Sequence, residues 1–246
     1  MLLSLPGSGN TWTRLLIEYA SGAYTGSVYN DTEFLLNIFP GEAACDSSVA
    51  AVKTHKVWGV GGGGVARQTN GTKPSCIEPL ARSRKTVIVL RHPLDACWAE
   101  FQRRLTGGSH FKRLQNTTHN LLAWAKVALK LARSTKSFAQ DLRVLYANRA
   151  MKTLTVRYED LLNPARAAGT LTRMINFLGL SNRTSASQVR CAFALAEHDK
   201  VHRSSTPSND YMLKSRAFTK DVVCSMWAIM GTEAEELGYA PYDFKC

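Results

Sequence analysis

The sequence of residues 2–12 is LLSLPGSGNTW, and this stretch decides the fold. The mostly apolar residues 2–5 predict a short buried strand, and a helical pattern follows the two glycines, Gly7 and Gly9. Glycine lets the backbone turn tightly, so the amide N–H groups of residues 8–11 are expected to point at one spot at the positive end of the helix. A strand, a glycine loop and a helix in this order predict an anion cradle at a strand end.

Further strands and helices alternate along the rest of the chain. The run 86–90 is continuous and β-branched, which is typical of a parallel strand covered on both faces. We therefore predict one α/β domain over residues 1–246, a three-layer, P-loop-like parallel sheet of about 4–5 strands flanked by helices. The polar stretch 56–84 predicts a long surface loop, a lid or a linker. The predicted strands are 2–5, 49–53, 86–90 and 153–156, and the predicted helices are 11–21, 94–105, 119–147, 164–178, 185–197 and 218–230.

Composition excludes some classes of protein. With 45% hydrophobic and 20% charged residues among 246, the chain can build a core and is not a disordered tail. The sequence has no run of 18 apolar residues, so we expect no membrane span. A net charge of +12 predicts an anionic binding partner. The candidates are nucleotide phosphates, anionic glycans, nucleic acid and membrane surfaces. We expect no nucleic-acid binding, because no platform of aromatic and basic residues is present.

Cysteines and glycosylation sequons bear on the compartment. The 6 cysteines form no C-x-x-C pair and no zinc spacing with histidine, so we predict no structural metal. Frequent sequons favour a luminal or secreted domain, in which a disulfide such as Cys45–Cys76 would be allowed. Chance sequons and free buried cysteines are the alternative. The sequons begin at Asn30, Asn70, Asn116 and Asn182.

The glycine loop is not that of a nucleoside triphosphatase, because Gly9 is followed by Asn10 where that motif needs lysine. It resembles the loop of sulfotransferases that use 3′-phosphoadenosine 5′-phosphosulfate (PAPS). Within them, the PGxGNTW pattern and the YTGSVYND stretch at 24–31 resemble the WSC-domain-containing sulfotransferase-like group. The resemblance runs from about residue 2 to about residue 180. It implies that the loop surrounds the 5′-phosphosulfate, through Gly7, Ser8, Gly9, Asn10, Thr11 and Trp12.

The same resemblance assigns the rest of the nucleotide site. It implies that Arg91, in VLRHPLD at 89–95, holds the 3′-phosphate through a bidentate guanidinium. Tyr158, in RYEDL at 157–161, is expected near the adenine. A further basic residue near the C-terminus is expected at the 3′-phosphate. Arg203 is preferred for it, and the other candidates are Lys200, His202 and Arg216.

The catalytic residues are expected in the Lys-Thr-His stretch at the end of the second strand. His55 is the candidate general base, because an imidazole titrates near pH ~6.5 and can take a hydroxyl proton. Lys53 lies two residues earlier, on the same face of an extended strand, where it can pair with the sulfonate oxygens. Two departures from the family stand out, since Gly7 replaces a loop lysine and Ala99 replaces a serine. Our hypothesis is that Arg14 supplies the missing charge together with Lys53.

The sequence therefore predicts a sulfotransferase that moves a sulfo group from PAPS, as co-substrate, to a hydroxyl acceptor. The resemblance implies a glycan acceptor and a location in the Golgi lumen or secretory pathway. Membrane attachment is expected only through an N-terminal anchor, which is missing from this sequence. A cytoplasmic location is the alternative. The rival functions are an inactive nucleotide- or glycan-binding relative and a nucleotide or small-molecule kinase on a similar sheet.

Overall fold

The structure is a computed structural model that describes residues 1–29, 35–57, 74–107, 112, 114–198, 209–242 and 246. Helices and strands alternate in the first half of the described chain, and helices predominate later. Their bounds, in chain order, are β1 (Leu2–Ser4), α1 (Asn10–Ser21), β2 (Thr25–Ser27), β3 (Ala51–Thr54), α2 (Ile77–Arg82), β4 (Lys85–Leu90), α3 (Pro93–Leu105), α4 (Thr118–Ala147), β5 (Lys152–Arg157), α5 (Tyr158–Leu162), α6 (Ala167–Leu178), α7 (Ala186–His198), α8 (Asn209–Ala217) and α9 (Lys220–Glu236).

The chain divides into two compact units that alternate along the sequence. The first unit comprises residues 1–4, 9–90 and 144–201, and the second comprises residues 5–8, 91–143 and 202–246. The glycine loop therefore begins in the second unit and ends in the first. The expectation of one domain over the whole chain stays a prediction.

The first unit is built on a parallel five-stranded sheet in the order β2-β3-β1-β4-β5. Residues Leu2 and Leu3 of β1 and 87–89 of β4 are fully buried, as expected for central strands covered on both faces. Helix α1 packs against α6 and α7. The predicted fold class, a parallel α/β sheet of four or five strands with flanking helices, is confirmed.

The second unit has a core of aromatic side chains from α3, α4 and the turn between α8 and α9. The rings of Trp98, Phe101, Trp124 and Phe218 lie with their centroids 5.1–5.7 Å apart, mostly in edge-to-face pairs. The indole N–H of Trp124 donates to the carbonyl of Ala217 at 3.1 Å, so this buried ring has no unsatisfied donor. Both tryptophans are buried in this core.

Each unit contains one disulfide among the described residues. Cys45 is bonded to Cys76 in the first unit, and Cys224 is bonded to Cys246 in the second. The first is the bridge that the sequence allowed. Cys97 and Cys191 carry free thiols, and burial raises the pKa of the Cys97 thiol to about 12.

Candidate active site

The end of the glycine loop forms the start of α1. Gly9 is the N-cap of the helix, with φ +84°, and its carbonyl accepts the first helical hydrogen bond, from the N–H of Thr13 at 2.9 Å. The N–H groups of residues 10–12 therefore precede the helical ladder, at the positive end of the helix. The Ser8 N–H differs from the expectation, because it donates to the carbonyl of Leu5 at 3.1 Å and closes a turn.

Tyr158 occupies the space beside Gly9. A Cβ atom built on Gly9 would lie 2.1 Å from Cε2 of the Tyr158 ring, so any other residue at this position would have to displace the ring. The ring itself is buried, with 7% of the residue exposed. The structure therefore brings Tyr158 against the loop, and its expected place near an adenine stays a prediction.

Gly7 is held in a similar way within the second unit. It has φ +86°, and a Cβ atom built on it would lie 2.1 Å from the carbonyl oxygen of Ala96 in α3. The Arg91 guanidinium donates from Nη1 to the Gly7 carbonyl at 2.9 Å. Arg91 thus braces the loop, and its expected contact with a 3′-phosphate stays a prediction. The absence of a lysine at position 7 has a physical reason, because the side-chain direction is filled by helix backbone.

The side chains of the loop are mostly turned into the protein. Ser8, Asn10, Thr11 and Trp12 have 8% exposure or less. The Asn10 amide donates to Ser4 Oγ at 3.0 Å and to the Leu2 carbonyl at 3.3 Å, so it secures β1. These contacts give the Asn10 side chain a structural role within the loop.

His55 lies beside the end of β1, at the point where the glycine loop begins. Its Nδ1 is 2.8 Å from the Ser4 carbonyl oxygen and 3.4 Å from Ser4 Oγ. A carbonyl oxygen can only accept a hydrogen bond, so Nδ1 carries the proton and Nε2 of the neutral ring keeps its lone pair. The ring is half-buried, and its Nε2 is the atom that can take a proton from another group.

Lys53 and His55 share one neighbour, Tyr29, which the sequence argument left without a role. The Lys53 ammonium lies 5.9 Å from the centroid of the Tyr29 ring, and the His55 ring stacks on it at 5.3 Å. The His55 backbone N–H donates to Tyr29 Oη at 2.9 Å. Burial raises the pKa of Tyr29, although hydrogen bonds from His55 and Thr54 oppose it, so the phenol is neutral near pH 7. Its position within the YTGSVYND stretch was the signal that could have identified it.

Arg14 does not have the role that the sequence argument gave it. The residue is fully buried, and its guanidinium forms an ion pair with Glu42 at 2.5 Å. It also donates to the side chain and carbonyl of Thr25 and lies 3.9 Å over the Phe39 ring. Thr25 begins β2, so this cluster lies at the amino-terminal edge of the sheet, whereas His55 follows the carboxyl end of β3. The prediction of Arg14 as the replacement for the loop lysine was wrong.

Four basic residues were expected as candidates for the second contact to the 3′-phosphate. Arg203, with its alternatives Lys200 and His202, lies outside the described residues. The fourth candidate, Arg216, donates to Asn116 Oδ1 at 3.0 Å on the surface of the second unit. The assignment of Arg203 to the 3′-phosphate stays a prediction.

A cluster of charged and aromatic groups surrounds the start of α3, next to Arg91 in the chain. Asp95 is ion-paired with Lys214, and the His92 ring stacks on Tyr242 with centroids 4.4 Å apart. Burial disfavours the Asp95 carboxylate, but the charges of Lys214 and Arg91 and a hydrogen bond from Tyr242 outweigh it, so the pKa of Asp95 is lowered. The C-terminal segment is therefore bound to the residues that follow β4.

A cavity of about 460 Å³ in the first unit lies away from these residues. Met1, Ala51 and Leu80 are among its lining residues, at the amino-terminal side of β1 and β3. Ligands of parallel α/β sheets bind at the carboxyl ends of the strands, so we do not assign this cavity to the candidate site. Within the part of the chain that the structure describes, no group of three or more metal-ligating side chains converges, and no helix has the length and apolar character to cross a bilayer.

Comparison with solved structures defines the class of fold. The chain superposes on mouse sulfotransferase SULT7A1, crystallised as a complex with PAP, with a TM-score of 0.51 and 15% sequence identity, over 96% of this chain and 87% of the other. The fold is therefore that of a sulfotransferase.

Comparison of sequences gives the particular relatives. A WSCD family member of Aedes aegypti is 32% identical over 189 residues, which are 72% of this chain and 49% of the relative. One of Drosophila melanogaster is 33% identical over 157 residues, or 59% of this chain and 43% of the relative. The chain spans about half the length or less of these relatives, and no family model matches it. The resemblance to the sulfotransferase family, and to the sulfotransferase-like WSCD group, is confirmed.

Proposed function

We propose that this chain is the transferase part of a PAPS-dependent sulfotransferase. The observation that carries the proposal is the hydrogen bond from His55 Nδ1 to the Ser4 carbonyl, at the strand end where the glycine loop begins. With the proton on Nδ1, Nε2 is the basic nitrogen of the neutral ring, and it is the proposed general base near the start of the loop. The sulfotransferase fold and the WSCD relatives support the same class of function.

The residues present fit an anionic nucleotide. The N–H groups at the start of α1 and the Arg91 guanidinium are donors suited to phosphate oxygens, and Lys53 adds a positive charge near His55. PAPS, when bound, supplies an activated sulfo group. The chain's own contribution is to hold phosphate oxygens through the N–H groups of residues 10–12, and to take the acceptor hydroxyl proton at His55 Nε2. The expected contact of Arg91 with a 3′-phosphate stays a prediction. A base placed in this way typically contributes about 10²–10⁴-fold to the rate.

The proposal extends to the acceptor and to the cellular compartment. A glycan hydroxyl in the secretory pathway is supported by the net charge of +12, the sequons and the two disulfides, which persist in oxidising compartments. Sulfate transfer to a panel of glycans and to small phenols tests the acceptor, and transfer to the phenols alone would reject a glycan. The compartment is tested by treating the protein, expressed in secretory cells, with an N-glycosidase. If removal of N-linked glycans leaves the mass of the protein unchanged, the result counts against a luminal location.

A non-catalytic nucleotide-binding relative is the second candidate. It is favoured by Arg14, because this cation is fully buried in a pair with Glu42 and cannot replace the missing loop lysine. On this alternative the protein binds adenosine 3′,5′-bisphosphate (PAP) and transfers no sulfate.

Two measurements on the same protein separate the candidates. First, PAP at about 100 times its dissociation constant should stabilise the fold by roughly 2.7 kcal/mol, while ATP with magnesium should give no comparable shift. Second, sulfate transfer from PAPS should fall about 10²–10⁴-fold in His55→Asn with PAP binding retained. His119→Asn, which changes an exposed histidine of α4, is the matched control and should transfer normally. Stabilisation by ATP alone would point to a kinase, and PAP binding without transfer in the wild type would point to the non-catalytic relative.

A further inference from the structure

We propose that Tyr29 is the positioning residue that sets the tautomer and orientation of His55 and fixes Lys53 beside it. The inference rests on the proposed function, because it explains how that base and that cation are held. Tyr29 comes two residues after β2, and its side chain reaches the residues at the carboxyl end of β3.

Tyr29 holds His55 through two separate contacts. Its phenol oxygen accepts the His55 backbone N–H at 2.9 Å, which fixes the chain one residue beyond the end of β3. Its ring stacks on the imidazole with centroids 5.3 Å apart and planes 27° from parallel. The first contact fixes the position of the Cα atom and the second fixes the plane of the ring, so together they determine where Nδ1 and Nε2 point.

This orientation is what makes the Ser4 contact possible. With the imidazole plane held by Tyr29, Nδ1 meets the Ser4 carbonyl at 2.8 Å, and the neutral ring is fixed with its proton on Nδ1. An imidazole free to rotate would populate both tautomers, and the neutral molecules with the proton on Nε2 would lack a basic Nε2. Tyr29 thus acts on Nε2 without touching a reacting atom.

The same ring lies next to Lys53. This lysine is only 5% exposed, and its ammonium lies 5.9 Å from the ring centroid. The electron-rich face of an aromatic ring attracts a cation at this distance, which offsets part of the cost of burying the charge. A single side chain therefore contacts both residues of the predicted Lys-x-His pair, and one substitution can disturb both.

The test uses two substitutions that remove the contacts in steps. Tyr29→Phe keeps the ring and removes the acceptor of the His55 N–H, whereas Tyr29→Leu removes both. Tyr146→Phe is the matched control, because it also removes one tyrosine hydroxyl in the first unit, at 2.8 Å from Thr155 Oγ1. Melting curves establish that each variant folds.

The first readout is ¹⁵N NMR of histidine-labelled protein without any ligand, with the His55 signals identified by their loss in His55→Asn. The wild type and Tyr146→Phe should show a single tautomer with the proton on Nδ1. Tyr29→Leu should show both tautomers, and Tyr29→Phe should retain the tautomer but exchange its His55 backbone N–H faster. A wild-type pattern in folded Tyr29→Leu would overturn the proposal. If Tyr29→Leu does not fold, the exchange rate in Tyr29→Phe decides, and an unchanged rate overturns it.

The second readout is sulfate transfer. Misplacing a catalytic group by about 1 Å costs on the order of 10²-fold, so kcat should fall about 10²-fold in Tyr29→Leu with KM for PAPS within about twofold of wild type. Tyr29→Phe loses one hydrogen bond, so its kcat should fall about 2–10-fold. An unchanged kcat in folded Tyr29→Leu would overturn the proposal. If the wild type transfers no sulfate, the proposed function fails, while the NMR readout still decides whether Tyr29 orients His55.

Discussion

The two glycines of the loop have nearly the same backbone conformation but face different kinds of neighbour. Gly7, at φ +86°, faces the backbone carbonyl of Ala96 in α3, which cannot move without breaking a helix. Gly9, at φ +84°, faces the ring of Tyr158, a side chain with its own rotational freedom. A glycine pattern in a sequence can therefore mark two requirements, a rigid approach of backbone to backbone and a more adaptable contact with a side chain.

Gly7→Ala should have the largest effect. The left-handed conformation and the collision with the Ala96 carbonyl together should cost about 3–5 kcal/mol of unfolding free energy, measured by urea denaturation. Gly179→Ala is the control, because Gly179 has φ +80° with nothing within 4 Å of its built Cβ atom. It should cost only about 1–2 kcal/mol. Equal losses in the two variants would show that the α3 contact does not matter.

Gly9→Ala should have an intermediate effect, because the Tyr158 ring can give way. We expect a loss of about 2–3 kcal/mol, against about 1–2 kcal/mol for Gly22→Ala, at the open opposite end of α1. A double-mutant cycle with Tyr158→Ala should recover about 1 kcal/mol as coupling energy. A coupling near zero would contradict the contact between Gly9 and Tyr158.

The smallest effect should be a difference in acid sensitivity between one carboxyl group of each unit. Asp95, near Arg91 in the second unit, has a pKa below its usual 3.8, so the stability it contributes is present above that value and lost as pH falls through the folded pKa. Glu18, on α1 in the first unit, has its pKa raised above 4.5 by burial, which hydrogen bonds from Thr25 only partly oppose. Its protonation is easier in the folded state, so it makes stability rise as pH falls through that pKa.

Urea unfolding between pH 7 and pH 3 measures both groups. Asp95→Asn should reduce the loss of stability on acidification, and Glu18→Gln should make that loss steeper. Both changes should be small, since the Lys214 side chain that pairs with Asp95 is 32% exposed and its charge is partly screened by water. If the unfolding free energy of the two variants fell equally steeply with falling pH, the opposite pKa shifts of Asp95 and Glu18 would be contradicted.

The sequence predicted those parts of the fold that carry an apolar signal. The continuous run of β4 and the helical periodicity of α4 gave bounds within one residue of the observed ones. Strand β2 was missed, because Thr-Gly-Ser has no apolar residue and lies at the edge of the sheet. The helix predicted from residue 164 begins at Ala167, because the Asn163 carbonyl and side chain accept the N–H groups of residues 165–167 in a separate turn.

The candidate site was predictable only where a motif follows a strand. The residues Lys53 and His55 were identified because they end a buried strand in the chain order of the resembling family. Arg14 was misassigned because its partner, Glu42, is 28 residues away and no local pattern links them. Tyr29 lies in the YTGSVYND stretch, but its contacts with Lys53 and His55 exist only after the strands pair, so the sequence did not show its role. Long-range partners are what the sequence alone does not contain.

The order in which the first unit is assembled has a consequence during protein synthesis. Strand β5 ends at Arg157, and all six residues of β4 pair with it, yet more than sixty residues separate the two strands in the chain. While the ribosome makes α3 and α4, the edge of β4 that later pairs with β5 has unpaired N–H and C=O groups. These groups can pair with another chain and so promote aggregation. A polypeptide halted before residue 152 therefore lacks the strand that covers this edge, and it is the species for which a chaperone matters most.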